Sequence, residues 1–168
     1  MPMPAAIDRS LVIDPALRAQ VEDFLSDYAQ AIDDDQLERW PEFFTADGFY
    51  QIIPREGFEA GHAIGILSCA GRGMMQDRIS ALRTANIFEP HTYCHLLGRS
   101  TLSLDAEGAI AARSSFALYR TIQGGSTELL AAGKYIDRII VVNGVLLFSA
   151  RRAVVEARRV DTLIVVPI

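Results

Sequence analysis

Three histidines, two cysteines and a run of three aspartates are the side chains in this 168-residue sequence whose spacing could carry a reaction. His91 and His95 stand four apart, a separation that on a helix would put both imidazoles on one face around a metal ion. The residues between them, Thr92-Tyr93-Cys94, open an apparent strand, where positions four apart sit roughly 13 Å from each other. One zinc or iron could not touch both, so hydrogen-bonded or interfacial histidines are expected. A Rieske cluster takes two cysteines and two histidines. Cys94-His95 has no second such pair, because no histidine follows Cys69 at two or three residues. With His62 the only other histidine, no two histidines and a carboxylate converge as a facial triad requires.

Nucleophilic chemistry fares no better. No serine sits in a Gly-x-Ser-x-Gly elbow. Cys69 and Cys94 have neither metal-site spacing nor the neighbours of a known nucleophile, and reduced, partly buried thiols are expected. Gly71-Arg72-Gly73 and Gly124-Gly125 read as turn glycines, neither placed between a strand and a helix as a phosphate loop must be. Asp33-Asp34-Asp35 reads as a solvated connection. The expected set of catalytic, cofactor-binding and metal-binding residues is therefore empty.

The elements that would position any site follow from periodicity. Asp14-Pro15 supplies an N-cap and a proline at the first helical position, and Leu17, Val21, Phe24, Leu25, Tyr28 and Ile32 then recur at helical spacing. Leu37, Trp40, Phe43 and Phe44 make a second, short helix, interrupted by Pro41. The acidic run before it is suited to capping it. Thr45-Ala46-Asp47-Gly48 is a turn, Phe49 to Ile53 a strand stopped by Pro54, residues 55–63 irregular, and 64–67 a short strand. A third helix spans roughly Gly73 to Ala85 with Met74, Met75, Ile79 and Leu82 inward. Long strands follow. Thr92 to Leu104 bends near Gly98, where the alternation changes phase; Ile110, Ala112, Phe116, Leu118 and Ile122 mark the next. Gln123–Ser126 turns into a strand ending at Val142, and Asn143-Gly144 is a hairpin signal before Val145 to Glu156. Thr162 to Val166 is a last apolar stretch. Helices first and strands after, joined by short turns, predict an α+β fold with a curved antiparallel sheet packed on N-terminal helices. Residues 1–13 are expected as an arm and 14–168 as a single domain.

Half the residues are hydrophobic, 22% are charged and the net charge is −5. That balance fits a globular protein and argues against nucleic acid as a partner. Arg151-Arg152 and Arg158-Arg159 are expected as solvated or ion-paired side chains. No apolar run reaches the 18 residues that span a bilayer, and Met1–Asp8 lacks the basic region and apolar stretch of a signal peptide. A soluble, cytoplasmic protein is expected.

Trp40-Pro41-Glu42-Phe43-Phe44-Thr45-Ala46-Asp47-Gly48-Phe49-Tyr50 resembles the opening signature of the NTF2-like, or cystatin-like, α+β cone superfamily. Within it, Asp77 to His91, Tyr93 to Gly98, Ala132-Gly133-Lys134-Tyr135-Ile136-Asp137-Arg138 and Asp161 to Ile168 resemble the beta (small) subunits of bacterial aromatic-ring-hydroxylating dioxygenases. The branch resembled acts on aromatic carboxylates such as salicylate, anthranilate, halobenzoate and terephthalate. Where many members of the wider family carry an arginine and then Ser-Asn, this chain has His95 and Gly98-Arg99.

The resemblance covers about residues 17 to 168 and implies a structural, non-catalytic subunit: a beta trimer in an α3β3 hexamer. The partner alpha subunit would hold the Rieske 2Fe-2S cluster and mononuclear iron, with electrons from NAD(P)H through a reductase. The alternative is a stand-alone, cofactor-free isomerase or dehydratase of the same fold, or a small-molecule-binding module. Such an enzyme needs a buried carboxylate or histidine opposite a tyrosine donor, for which Tyr28, Asp47, Tyr50 and His95 are the candidates. Each has a plainer role: helix-face core, turn former, strand packing and polar contact. Strands apolar in both phases, such as Leu129–Ala132 and Ile139–Val142, predict self-association through the sheet, and the uncharged stretch 162–168 is expected to pack across a subunit boundary.

Overall fold

Asp14 starts the first helix as its sequence dictates: its carboxylate accepts from the Leu17 N–H at 2.8 Å, and Pro15 takes the first turn, whose N–H has no partner to lose. This helix, α1 (Pro15–Asp33), buries Leu17, Val21, Leu25, Tyr28 and Ile32 along one stripe. The computed structural model describes residues 12–85, 89–157, 164 and 166–168. The arm expected before residue 14 falls almost wholly outside them.

A 3₁₀ helix, Leu37–Phe43, accommodates Pro41 within it. The aspartate run does not cap it, since Gln36 stands at its N-cap without a side-chain hydrogen bond. Strand β1 (Phe44–Pro54) begins earlier than its alternation suggests. Phe44 pairs with Phe148 and Phe49 with Ala150, so the expected turn at 45–48 is a bulge inside a strand. One helical turn, α2 (Arg55–Glu59), lies in the segment read as irregular, and β2 is Leu67–Ala70 rather than 64–67. In α3 (Arg72–Thr84) Met75, Ile79 and Leu82 are buried, whereas Met74 is exposed.

The predicted long strand breaks where its phase changes, into β3 (His91–Leu97) and β4 (Thr101–Leu104), both paired with β5 (Ile110–Ile122). The break is held from α1: Arg18 donates to the Ser100 carbonyl at 2.9 Å, and the Ser100 N–H donates to Glu22 at 3.0 Å. β6 (Thr127–Val142) and β7 (Val145–Val155) form the hairpin announced by Asn143-Gly144, both residues at positive φ.

The seven strands make one open sheet in the order β2-β1-β7-β6-β5-β3, with β4 also against β5. Every pairing is antiparallel except β1 with β7, which is parallel. The sheet is thus mixed, not wholly antiparallel. Turn residues reveal only pairs adjacent in sequence; β1 and β7 meet from distant parts of the chain, so no turn reports their direction.

The inward phase of β6 carries Ala131, Gly133, Tyr135, Asp137 and Ile139, and that of β7 carries Phe148, Arg151, Ala153 and Val155. With the helices they enclose an aromatic core of Tyr28, Trp40, Phe43, Phe44, Tyr50 and Phe148. The described part of the closing stretch enters that core. Ile164, Val166 and Ile168 are buried within the chain itself, so for these residues the expected packing across a subunit boundary is corrected. Residues 162, 163 and 165 lie outside the described residues.

Gly133 of β6 lies tight against β7: a Cβ there would lie 2.0 Å from the Val154 carbonyl oxygen. Gly133→Ala should therefore lower stability by about 1–3 kcal/mol or more, as overpacking does. A urea unfolding midpoint equal to wild type would show that the hairpin can open without cost.

Candidate functional site

The cone's centre is where a reaction would have to occur, and it is filled by a buried ion pair. Arg151 and Asp137 come from adjacent strands, paired in register, and the guanidinium Nη1 donates to Asp137 Oδ2 at 3.1 Å. Both side chains are fully excluded from solvent. The guanidinium carbon lies 3.6 Å from the Tyr135 ring centre, 4.2 Å from that of Tyr28 and 4.7 Å from that of Phe148. Aromatic faces are negative, so three rings and one carboxylate share the compensation of this charge.

Burial pushes the Asp137 carboxyl up to about 7, against the pull of Arg151. For Arg151 burial opposes the charge, but Asp137 and the tyrosines outweigh it and hold the proton more firmly than usual. Arg151 Nε and Nη2 and Asp137 Oδ1 have no hydrogen-bond partner in the structure. A pair this incompletely satisfied adds little net stability over a well-packed apolar replacement.

The candidate tyrosines are beside it, but both are engaged. Trp40 Nε1 donates to the Tyr28 hydroxyl at 3.1 Å, and that hydroxyl donates to the Ile168 carbonyl at 3.1 Å. The Tyr50 hydroxyl donates to the same carbonyl and accepts from the Ile168 N–H, both at 2.8 Å. Burial raises both phenols, Tyr28 to about 12 and Tyr50 well above its usual value. Neither is set up as an acid near neutral pH.

His95 lies elsewhere, on β3. Its backbone N–H donates to Asp33 Oδ2 at 2.8 Å, and its Nδ1 is 2.6 Å from Asp33 Oδ1. A carboxylate only accepts, so Nδ1 carries the proton. The side chain is fully buried, and Nε2 has no partner. Asp33 is therefore not simply solvated: it ties the end of α1 to β3, while Asp35 and Glu38 bind Arg83 of α3.

A model of the SnoaL-like domain matches residues 16–152. The anthranilate 1,2-dioxygenase small subunit of Burkholderia cepacia is 37% identical over 141 residues, 84% of this chain and 88% of that one. The beta 2 subunit of the terminal oxygenase component of terephthalate 1,2-dioxygenase from a Comamonas species is 37% identical over 89% of this chain and 97% of its own. A crystal structure assigned as the beta subunit of an aromatic-ring-hydroxylating dioxygenase from Novosphingobium aromaticivorans superposes with a TM-score of 0.82 at 33% identity, covering 91% of this chain and 97% of that one.

This chain belongs to the SnoaL-like, dioxygenase small-subunit family.

For a dioxygenase small subunit the remaining candidates fall into place as local structure. Asp47 is exposed and accepts from Thr45 Oγ1 at 3.0 Å within the bulge. His91 Nδ1 lies 2.8 Å from the Glu89 carbonyl, and His62 is exposed. No group of three or more metal-ligating side chains occurs among the described residues. Cys69 is buried, and burial raises its thiol; Cys94 is exposed rather than partly buried, on the outward phase of an edge strand. Gly71-Arg72-Gly73 does join a strand to a helix, contrary to expectation, because β2 runs to Ala70; Arg72 turns back to the Phe44 carbonyl. No helix among the described residues is long and apolar enough to cross a membrane.

Sequence reasoning missed the Asp137–Arg151 pair. The signal was present: Asp137 lies in phase with Tyr135 and Ile139, so a charge on that strand had to face the core. At pH 8, Arg151→Met and Asp137→Leu should each cost about 3–5 kcal/mol by stranding the other charge, and the double variant should cost less than either. Strictly additive losses in urea unfolding would show that the two do not act as a pair.

The raised Asp137 pKa also sets a sign. Folding favours the protonated carboxyl, so its contribution is fully present below the unfolded value of 3.8 and is lost as pH rises through about 7. Wild type should therefore lose stability relative to Asp137→Asn between pH 4 and pH 8. A difference that stays flat or grows over that range would contradict the assignment.

Proposed function

We propose that this chain is the structural, non-catalytic beta subunit of a Rieske non-haem iron oxygenase that hydroxylates aromatic carboxylates. It carries no catalytic, cofactor-binding or metal-binding residue, and one domain runs from residue 14 onward. Three copies associate and support three alpha subunits in a cytoplasmic α3β3 hexamer. The alpha subunit holds the 2Fe-2S cluster and mononuclear iron, and NAD(P)H reduces it through a reductase.

The observation that carries this reading is the occupied cone. An isomerase or dehydratase working inside it would need room for a substrate. That space holds Arg151, Asp137 and the Ile168 backbone, which takes up the Tyr28 and Tyr50 hydroxyls. The relatives' names, anthranilate and terephthalate dioxygenase subunits, support an aromatic carboxylate as the substrate of the assembly.

The purified chain should be colourless, without stoichiometric iron, zinc or flavin, and inactive on aromatic acids even with reductase and NADH. Co-expression with the large subunit should give turnover on a panel of such acids. About one equivalent of iron per isolated chain, or hydroxylation by the chain alone, would overturn the proposal.

A further inference from the structure

Lys134 is the only lysine in the sequence, and it stands outside the core. Its neighbours on β6, Gly133 and Tyr135, are in the buried phase, so the lysine faces away from the cone. There it lines a groove of about 310 Å³ with Arg113 of β5, Ile136 of β6, Val154 of β7 and Phe58 of α2. Small-molecule sites begin at about this size, roughly 300–1,000 Å³.

The groove has an apolar floor and a cationic wall. Val154 lies in the outward phase of β7 yet is only 6% exposed; Ile136 is half-buried, and Phe58 is 38% exposed. In the ladder Arg113 stands opposite Ile136, and Lys134 opposite Val154. Arg113 and Lys134 are thus diagonal neighbours on one face, roughly 7–8 Å apart. Side chains of that length can close on one carboxylate, the arginine with its fork of N–H donors and the lysine as a point charge. The groove also holds Glu59 and Glu156, but Arg55 binds both, at 3.0 Å and 2.7 Å. Neither Arg113 nor Lys134 has a carboxylate partner among the described residues. Three cations against two carboxylates leave a local positive excess in a chain of net charge −5. An inorganic anion would use the cations and leave the floor wet, whereas a neutral ring would cover the floor and leave the cations idle. An aromatic carboxylate uses both, with the Phe58 ring offering a face or an edge to its own.

We propose that this groove binds a small aromatic carboxylate, its carboxylate between Arg113 and Lys134 and its ring on Ile136, Val154 and Phe58. The site lies outside the filled cone and does not rest on the oxygenase reading, since the isolated chain binds with no alpha subunit present. Half-exposed ion pairs contribute little each, so the dissociation constant is on the order of 1 mM.

The sole lysine makes the test direct. Reductive methylation with ¹³C-formaldehyde keeps the Lys134 charge and gives that amine its own NMR signal, apart from the α-amino group. Titration of the full chain with sodium benzoate at constant ionic strength should move this signal saturably, with half-saturation on the order of 1 mM. Saturation transfer to the benzoate ring from the unmethylated chain should give the same midpoint. Acetate carries the charge without the ring, and benzylamine the ring with the opposite charge; each should need at least about tenfold more. Arg113→Gln and Phe58→Ser, both at exposed positions, should each weaken benzoate about five- to tenfold while leaving the circular dichroism unchanged. No saturable shift in the wild type, whether the groove stays empty or a second copy covers it, would overturn the site. Acetate as effective as benzoate, or folded variants that bind as the wild type does, would overturn it too.

Discussion

A guanidinium cannot give up its proton to escape a dry interior, so placing Arg151 at the centre of the cone obliges the surroundings to adapt to it. Asp137 answers from the neighbouring strand, and Tyr28, Tyr135 and Phe148 turn their faces to the cation. These groups come from α1, β6 and β7, so the charge ties a helix to the two strands at the middle of the sheet. A hydrophobic residue at the same place would fill the space, but would not demand that these rings and this carboxylate converge. The net stability such a pair adds over a well-packed apolar replacement is small.

The same centre explains how one fold can host enzymes and also a subunit without evident chemistry. A cone becomes a reaction vessel only if its interior stays open and some hydroxyl or carboxyl is left to act. Here Ile168 presents its backbone N–H and carbonyl to two tyrosines, as a neighbouring strand would present a ladder. Each phenol is thereby satisfied and desolvated, and burial keeps both far from titration near neutral pH. Filling the interior in this way ties the helix to the middle of the sheet.

Several surface carboxylates among the described residues are paired, as Arg83 with Asp35 and Glu38 and Arg138 with Asp105 illustrate. Exposed pairs of this kind contribute little each. His95 belongs to the opposite category: its tie to Asp33 is internal and joins the end of α1 to the edge strand β3.

Local chemistry was enough to read much of this protein from its residues. The Asp14-Pro15 start, the buried stripe of α1 and the Asn143-Gly144 hairpin all depend on contacts within a few positions, where residue type decides conformation. Long-range contacts decided the rest. The parallel pairing of β1 with β7, the bulge at 45–48, the return of Ile168 into the core and the meeting of Asp137 with Arg151 each join positions far apart in sequence or phase. A sequence displays which side chains want burial or compensation. Only the folded chain decides which partner meets that need, because desolvation and electrostatic attraction act between neighbours in space, whatever their distance along the chain.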